Sequence, residues 1–175
     1  MTAIHRDATP ADAAALAELG RVTFTETFGH LYSPENLAAF LENHREESWR
    51  AQLSDPAFRV RIVEDGGRAV AYAKLGPPSL EIEIRRPAAE LRQIYVLEPW
   101  QGAGIARELM GWAIAEARAG GAEELYLSVF VDNHRARRFY ARYGFEQVGT
   151  YHFMVGTHAD LDLVMRLVLE GESGD

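Results

Sequence analysis

The chain has 175 residues, 47% of them hydrophobic and 25% charged, and a formal net charge of −8. That size and balance imply one soluble domain with a substantial core, and the acidity disfavours a nucleic-acid partner. The absence of cysteine excludes disulfides, thiolate metal sites and a Cys nucleophile; no apolar run is long enough for a membrane span and no leader is visible, so the expected location is cytoplasmic.

Ile4 to Arg6 reads as a short strand. Ala11 to Phe28, alanine-rich and entered through Pro10, reads as a helix. Ser33 is an N-cap and Pro34 the first residue of a second helix, with Leu37, Phe40, Leu41 and His44 at helical spacing. Glu46 to Leu53 either extends that helix or forms its own turn. Phe58 to Glu64 alternates as a strand does, Asp65-Gly66-Gly67 is a hairpin turn, and Ala69 to Leu75 is the return strand. Pro77-Pro78 breaks the pattern, and Ser79 to Ala89 reads as a strand edge and loop.

Leu91 to Leu97 is an apolar central strand. Ala106, Leu109, Met110, Ala113 and Ala117 form the buried stripe of a helix that Gly120-Gly121 ends. Leu125 to Val131 is an almost unbroken apolar run, as in a strand covered on both faces. Ala136, Phe139, Tyr140 and Tyr143 form one face of the last helix, closed by Gly144. Glu146 to Val155 and Leu161 to Leu169 read as an antiparallel pair around a turn from Gly156 to Asp160. The order predicts one domain over 1–170 and a frayed polar tail over 171–175.

The chemistry concentrates between the central strand and the helix after it, in Gln101-Gly102-Ala103-Gly104-Ile105-Ala106. Two glycines let the backbone approach a ligand closely, and free N–H groups at a helix start favour an anion. The stretch therefore reads either as a plain strand-to-helix turn or as a pyrophosphate cradle. A P-loop needs Lys-Ser/Thr where Ile105-Ala106 stand, and a Rossmann fingerprint needs a small residue where Arg107 stands.

The loop resembles the Gln/Arg-x-x-Gly-x-Gly/Ala coenzyme A loop of the GNAT superfamily of N-acetyltransferases. Downstream, Asn133 to Phe145 is similar to that family's Asn-x-x-Ala-x-x-Phe-Tyr-x-x-x-Gly-Phe element, in the family's order and at a spacing typical of it. The resemblance covers about residues 3 to 168, with its motifs in 91–145. It implies an α/β (α+β) GNAT fold: a mixed sheet of about seven strands with helices on both faces, and a gap for the coenzyme between splayed central strands.

By this resemblance acetyl-CoA is the co-substrate and no metal is needed. Gln101, Gly102, Ala103, Gly104, Ile105 and Ala106 would hold the pyrophosphate. A backbone N–H near Tyr95, Val96 or Leu97 would stabilise the thioester oxygen, and Arg107 and Arg138 would contact phosphates. Asn133 would hold the pantetheine or cap the last helix. Tyr140 matches the tyrosine that acts as general acid; a packed core tyrosine is the other reading of the same residue. The base is open among Glu26, Glu83, Glu90 and His152. The Thr25-Glu26-Thr27-Phe28 and Ser33 to Leu37 segments resemble bacterial polyamine N-acetyltransferases, which implies a small-molecule amine as partner, with Glu26, Phe28 and Tyr32 on the acceptor side. An amino-acid or antibiotic amine, a protein N-terminus, or a non-catalytic acyl-coenzyme sensor are the alternatives. Family members are often dimers, so a homodimer is expected, with Leu161–Leu169 as its edge strand.

Overall fold

The computed structural model describes residues 3–169; the tail assigned to 171–175 lies outside the described residues. The strands are β1 (Ile4–Asp7), β2 (Arg59–Asp65), β3 (Arg68–Gly76), β4 (Ala88–Val96), β5 (Glu124–Phe130), β6 (Glu146–Val155) and β7 (His158–Val168). The helices are α1 (Ala13–Phe28), α2 (Pro34–Leu41), α3 (Glu46–Leu53), α4 (Ile105–Ala119) and α5 (His134–Arg142). Glu46 to Leu53 is thus a separate helix. A turn of 3-10 helix over Glu42–His44 and an extended Arg45 break it from α2. No helix among the described residues is long and apolar enough to cross a membrane.

One sheet of seven strands runs in the order β1-β2-β3-β4-β5-β7-β6. All neighbours are antiparallel except β4 and β5, which makes the sheet mixed. α1 and α4 both pack on β3 and β4. α3 lies beside α1, with Trp49 edge-on to Tyr72 of β3. Leu16, Val70, Ala71, Leu109, Met110 and Leu125 are fully buried between these layers.

Parallel pairing of β4 with β5 is confined to three positions, Ala88↔Glu124, Ala89↔Leu125 and Glu90↔Tyr126. Beyond Glu90 the strands part. The register of β4 on β3 shifts between Lys74 and Leu75, leaving Arg92 as the extra residue of a bulge. Bulges bend a strand and increase its twist, which carries the rest of β4 away from β5.

Two expectations are corrected by the pairing. β7 is not an edge: it lies between β5 and β6, and β6 is the exposed margin. The β6–β7 turn is only Gly156-Thr157, because His158, Ala159 and Asp160 already pair with β6. The 79–90 segment is irregular through Pro87, and β4 begins at Ala88. Its alternation is real, with Leu80, Ile82 and Ile84 partly buried. They pack as a loop, in which Ile82 reaches the Gly149 region of β6.

Two tight contacts fix the helices over the cleft. A Cβ on Gly20 of α1 would collide with the buried His44 ring. At the tip of the β6–β7 hairpin, Asn36 of α2 accepts from the Thr157 N–H at 3.0 Å, and a Cβ on Gly156 would strike the same asparagine.

Candidate active site

The parting of β4 and β5 opens a cavity of about 970 Å³ that runs through the sheet. Its mouth is built by β4 and the loop after it. Leu97 donates its N–H to the Val70 carbonyl of β3 at 2.9 Å. Since backbone groups alternate sides along a strand, those of Val96 face the gap. The Val96 carbonyl accepts from Gln101 Nε2 at 3.0 Å, and Gln101 Oε1 accepts from Arg135 of α5 at 2.5 Å. Gln101 thereby ties β4 to α5 across the opening.

Gly102 and Gly104 follow at φ of 83° and 84°, a left-handed conformation that side chains resist. No atom lies within 4 Å of where a Cβ on either would sit, so both face open space at the start of α4. The unpaired N–H groups of that first turn and the helix dipole make the opening attractive to an anion. Arg107, Arg138 and Arg142 line the same space and form no ion pair among the described residues. A pyrophosphate with its nucleotide fits this donor set.

At mid-cleft, side chains from both faces of the sheet meet. Tyr140 comes from α5 and is 8% exposed; burial, then the nearby Tyr95, raises its hydroxyl well above the ordinary phenol range. Tyr95 of β4 is raised by burial and then by Asp162. Asp162 lies on β7, 6% exposed; desolvation raises it to about 7, the Ser128 hydroxyl lowers it, and the Asp160 carboxylate raises it further. Asp160 accepts a short hydrogen bond from the Tyr32 hydroxyl, and its other oxygen is 3.0 Å from His158 Nε2. Phe24, Phe28 and Phe40 wall this region, with the Phe24 and Phe40 centroids 4.1 Å apart.

Beyond Tyr95 the cleft continues inward along β3 and β4. The Tyr72 hydroxyl donates to Gln93 Oε1 at 2.9 Å. Lys74 is 8% exposed, gives a hydrogen bond to Gln52 Oε1 at 2.8 Å, and sits 4.6 Å over the Trp49 ring. Burial, then Arg92, lowers its ammonium to about 8. His44 is lowered to about 4 by burial, then Lys74 and Arg21.

The acetyltransferase (GNAT) family model matches residues 21–145, the span that carries the mouth, β4 and α5. The chain belongs to this family. As a GNAT acetyltransferase it is 34% identical to an uncharacterized N-acetyltransferase of Mycobacterium tuberculosis over 155 residues, 88% of this chain and 96% of the relative. It is also 33% identical to the aminoalkylphosphonate N-acetyltransferase of Salmonella typhimurium over 101 residues, 58% of this chain and 65% of that one. Its fold matches the PaiA N-acetyltransferase of Thermoplasma acidophilum, solved in complex with coenzyme A. The TM-score is 0.76 and the identity 19%, over 96% of this chain and 99% of that one.

Of the residues singled out in the sequence for this GNAT domain, Tyr95, Val96, Gln101, Gly102, Gly104, Ala106, Arg107, Asn133, Arg138 and Tyr140 line the one cleft. Asn133 also caps α5, accepting from the Ala136 N–H at 3.3 Å. The side chains of Leu97 and Ile105 go into the core, and Ala103 is exposed outside the lining. On the acceptor side Phe28 and Tyr32 line the cleft, whereas Glu26 lies outside it and accepts from the Glu98 N–H at 3.3 Å. The other base candidates lie elsewhere. Glu83 pairs with Arg85 on the surface, Glu90 is held by Ser79 and Arg92, and His152 is exposed on β6.

Sequence reasoning missed Asp162 as a base candidate, and Lys74 altogether. The signal for the first was Asp160-x-Asp162 inside an otherwise apolar strand: two acids at a period of two, on a strand too apolar to be exposed.

Gly104→Val tests the mouth. The branched side chain occupies the open space ahead of α4 and strains a left-handed residue. Calorimetry should show acetyl-CoA binding weakened by at least roughly tenfold with the circular dichroism spectrum preserved; unchanged affinity would remove the cradle.

Proposed function

We propose that the chain transfers the acetyl group of acetyl-CoA to the primary amine of a small molecule by direct attack, with Tyr140 as general acid and Asp162 as general base. The carrying observation is one cleft that joins an anion cradle at its mouth to a buried carboxylate pair beside Tyr95 and Tyr140. The coenzyme supplies the acetyl group as a thioester. Gln101 to Ala106, with Arg107 and Arg138, hold its phosphates. Val96 is the backbone donor aimed at the thioester oxygen, since the Leu97 N–H is committed to Val70.

Asp160 and Asp162 draw in the ammonium form of the acceptor. Asp162, poised at about 7, takes one proton from it and leaves a neutral nucleophile. Tyr140, protonated throughout the working range, gives a hydrogen bond to the departing sulfur, and the second proton, shed by the attacking nitrogen as the C–S bond breaks, ends on that thiolate. Because burial makes the phenol a weak acid, stabilising that sulfur is its larger contribution.

The acceptor reading that follows from the N-terminal segments and the net charge of −8 is a polyamine. Asp160 and Asp162 line the cleft, while Glu26, Glu35, Glu42, Glu46 and Glu47 of the N-terminal helices do not. The 33% identity to the aminoalkylphosphonate enzyme of Salmonella favours a second reading, an amine that also carries an acid group.

Thiol release measured across amines tests the activity itself, and no release with any amine while acetyl-CoA still binds would favour an acyl-coenzyme sensor. If surface charge guides a polyamine, kcat/KM falls as ionic strength rises. Self-association is proposed through the β6 edge, where Val148 and Met154 are exposed. Light scattering at micromolar concentration should give a dimer, and a monomer would end that proposal.

A further inference from the structure

Resting on the acetyl-transfer reading of the cleft, we propose that its inner end is a subsite for an anionic group on the acceptor, held by Lys74, so that the acceptor is an amine with a distal acid. The ammonium is buried and has no carboxylate within ion-pair distance among the described residues: its direct contacts are the neutral Gln52 amide and the Trp49 face, and Glu90, which favours its charge from farther off, is itself held by Ser79 and Arg92. A buried charge without a counter-ion is costly. It is tolerated where a ligand completes it, and Lys74 lines the same cavity as Tyr140 and Asp162.

The other cation nearby is already committed. Arg92 gives its Nε and a terminal nitrogen to the Pro77 carbonyl, approaches Glu90 at 3.4 Å, and stacks 5.3 Å from the Phe58 centroid. Lys74 is the group left to meet an anion.

Position sets the length of the acceptor. Tyr95 is opposite Tyr72 and Gln93 is opposite Lys74, two residues along the same face. Two strand residues span about 6–7 Å. Taking that strand offset as the spacing of the two ends, we set the amine beside Tyr95 and the acid group at Lys74 about three or four carbons apart. The carboxylate pair recognises one end and the lysine the other. A second ammonium at the Lys74 end meets a like charge, which sets this subsite against a polyamine.

Three four-carbon amines of equal reach separate the cases: 4-aminobutyrate, butylamine and putrescine, whose far ends are anionic, neutral and cationic. Binding is measured by calorimetry on the full chain saturated with coenzyme A, and turnover by thiol release. The wild type should bind 4-aminobutyrate roughly 10- to 100-fold tighter than butylamine, the range of a charge-assisted hydrogen bond, with putrescine weakest. Lys74→Met should abolish that preference and leave butylamine binding unchanged.

Equal binding of 4-aminobutyrate and butylamine by the wild type, or tighter binding of putrescine, overturns the subsite. So does a Lys74→Met protein that keeps the preference. The wild-type comparison decides the matter even if the variant does not fold. Anion-selective binding without turnover of any amine upholds the subsite while the acetyl-transfer reading falls.

Discussion

Asp162→Asn should lower kcat/KM by roughly 10²- to 10⁴-fold, the range for a lost general base, and should erase the ascending limb of its pH profile. Asp162 accepts a proton only when ionised, and its carboxyl is raised to about 7. Wild-type activity therefore climbs as pH passes 7 and levels off above it. The variant retains the shape of the cleft and lacks that limb.

Stability should move the opposite way. The folded value lies above the ordinary 3.8, so the proton held by the native state contributes stability below that value. The contribution is lost as pH rises toward 7. Asparagine does not titrate, so the variant should gain on the wild type between pH 4 and 7, by up to about 4 kcal/mol at pH 8. Urea melts at pH 5 and pH 8 measure this. A variant with full activity, or one whose pH profile keeps its limb, would return Asp162 to a packing role.

Tyr140→Phe should lower turnover roughly 10- to 1,000-fold while acetyl-CoA affinity stays within about twofold. The ring remains packed edge-on against Phe139 and Phe145, so the fold survives the loss of one oxygen. The loss should fall on kcat, because the hydroxyl acts on a sulfur that becomes anionic only as the bond breaks. A rate at the wild-type level, under conditions where chemistry limits, would leave Tyr140 a core residue.

These two side chains differ in how readable they were. Tyr140 belongs to a contiguous pattern: Asn133 caps α5, Phe139 and Tyr140 lie on its inner face, and Gly144 at φ +94° turns the chain out. Local chemistry dictates local structure there, as it does at Gln101 to Ala106. Asp162 and Lys74 belong to no such contiguous pattern; the local sign each carries is only an acid or a lysine inside an apolar strand. Lys74 is the one charge in the apolar run from Ala69 to Leu75, and its partners there, Trp49 and Gln52, come from α3, remote in sequence. Asp162 reaches Tyr95 because β7 inserts between β5 and β6, a pairing set by sheet topology rather than by neighbours in sequence. The same insertion moves the apolar run over 161–169 from the margin that the sequence predicts to the interior of the sheet. Continuous apolarity marks a strand covered on both faces, and β7 is paired on both sides as well.

The junction of β4 with β5 has a mechanical consequence. Three residue pairs bind the two parts of the sheet, like a book whose pages are sewn along a short length of spine. The free chain is weakest against prying at the open ends of those pages, where backbone groups face a gap in place of a neighbouring strand. A molecule lying between the pages touches both and resists that prying. Because such a ligand binds the closed fold and not the loose chain, its concentration acts on the survival of the protein as well as on its rate. A cell poor in that ligand would then hold less of the protein to use it.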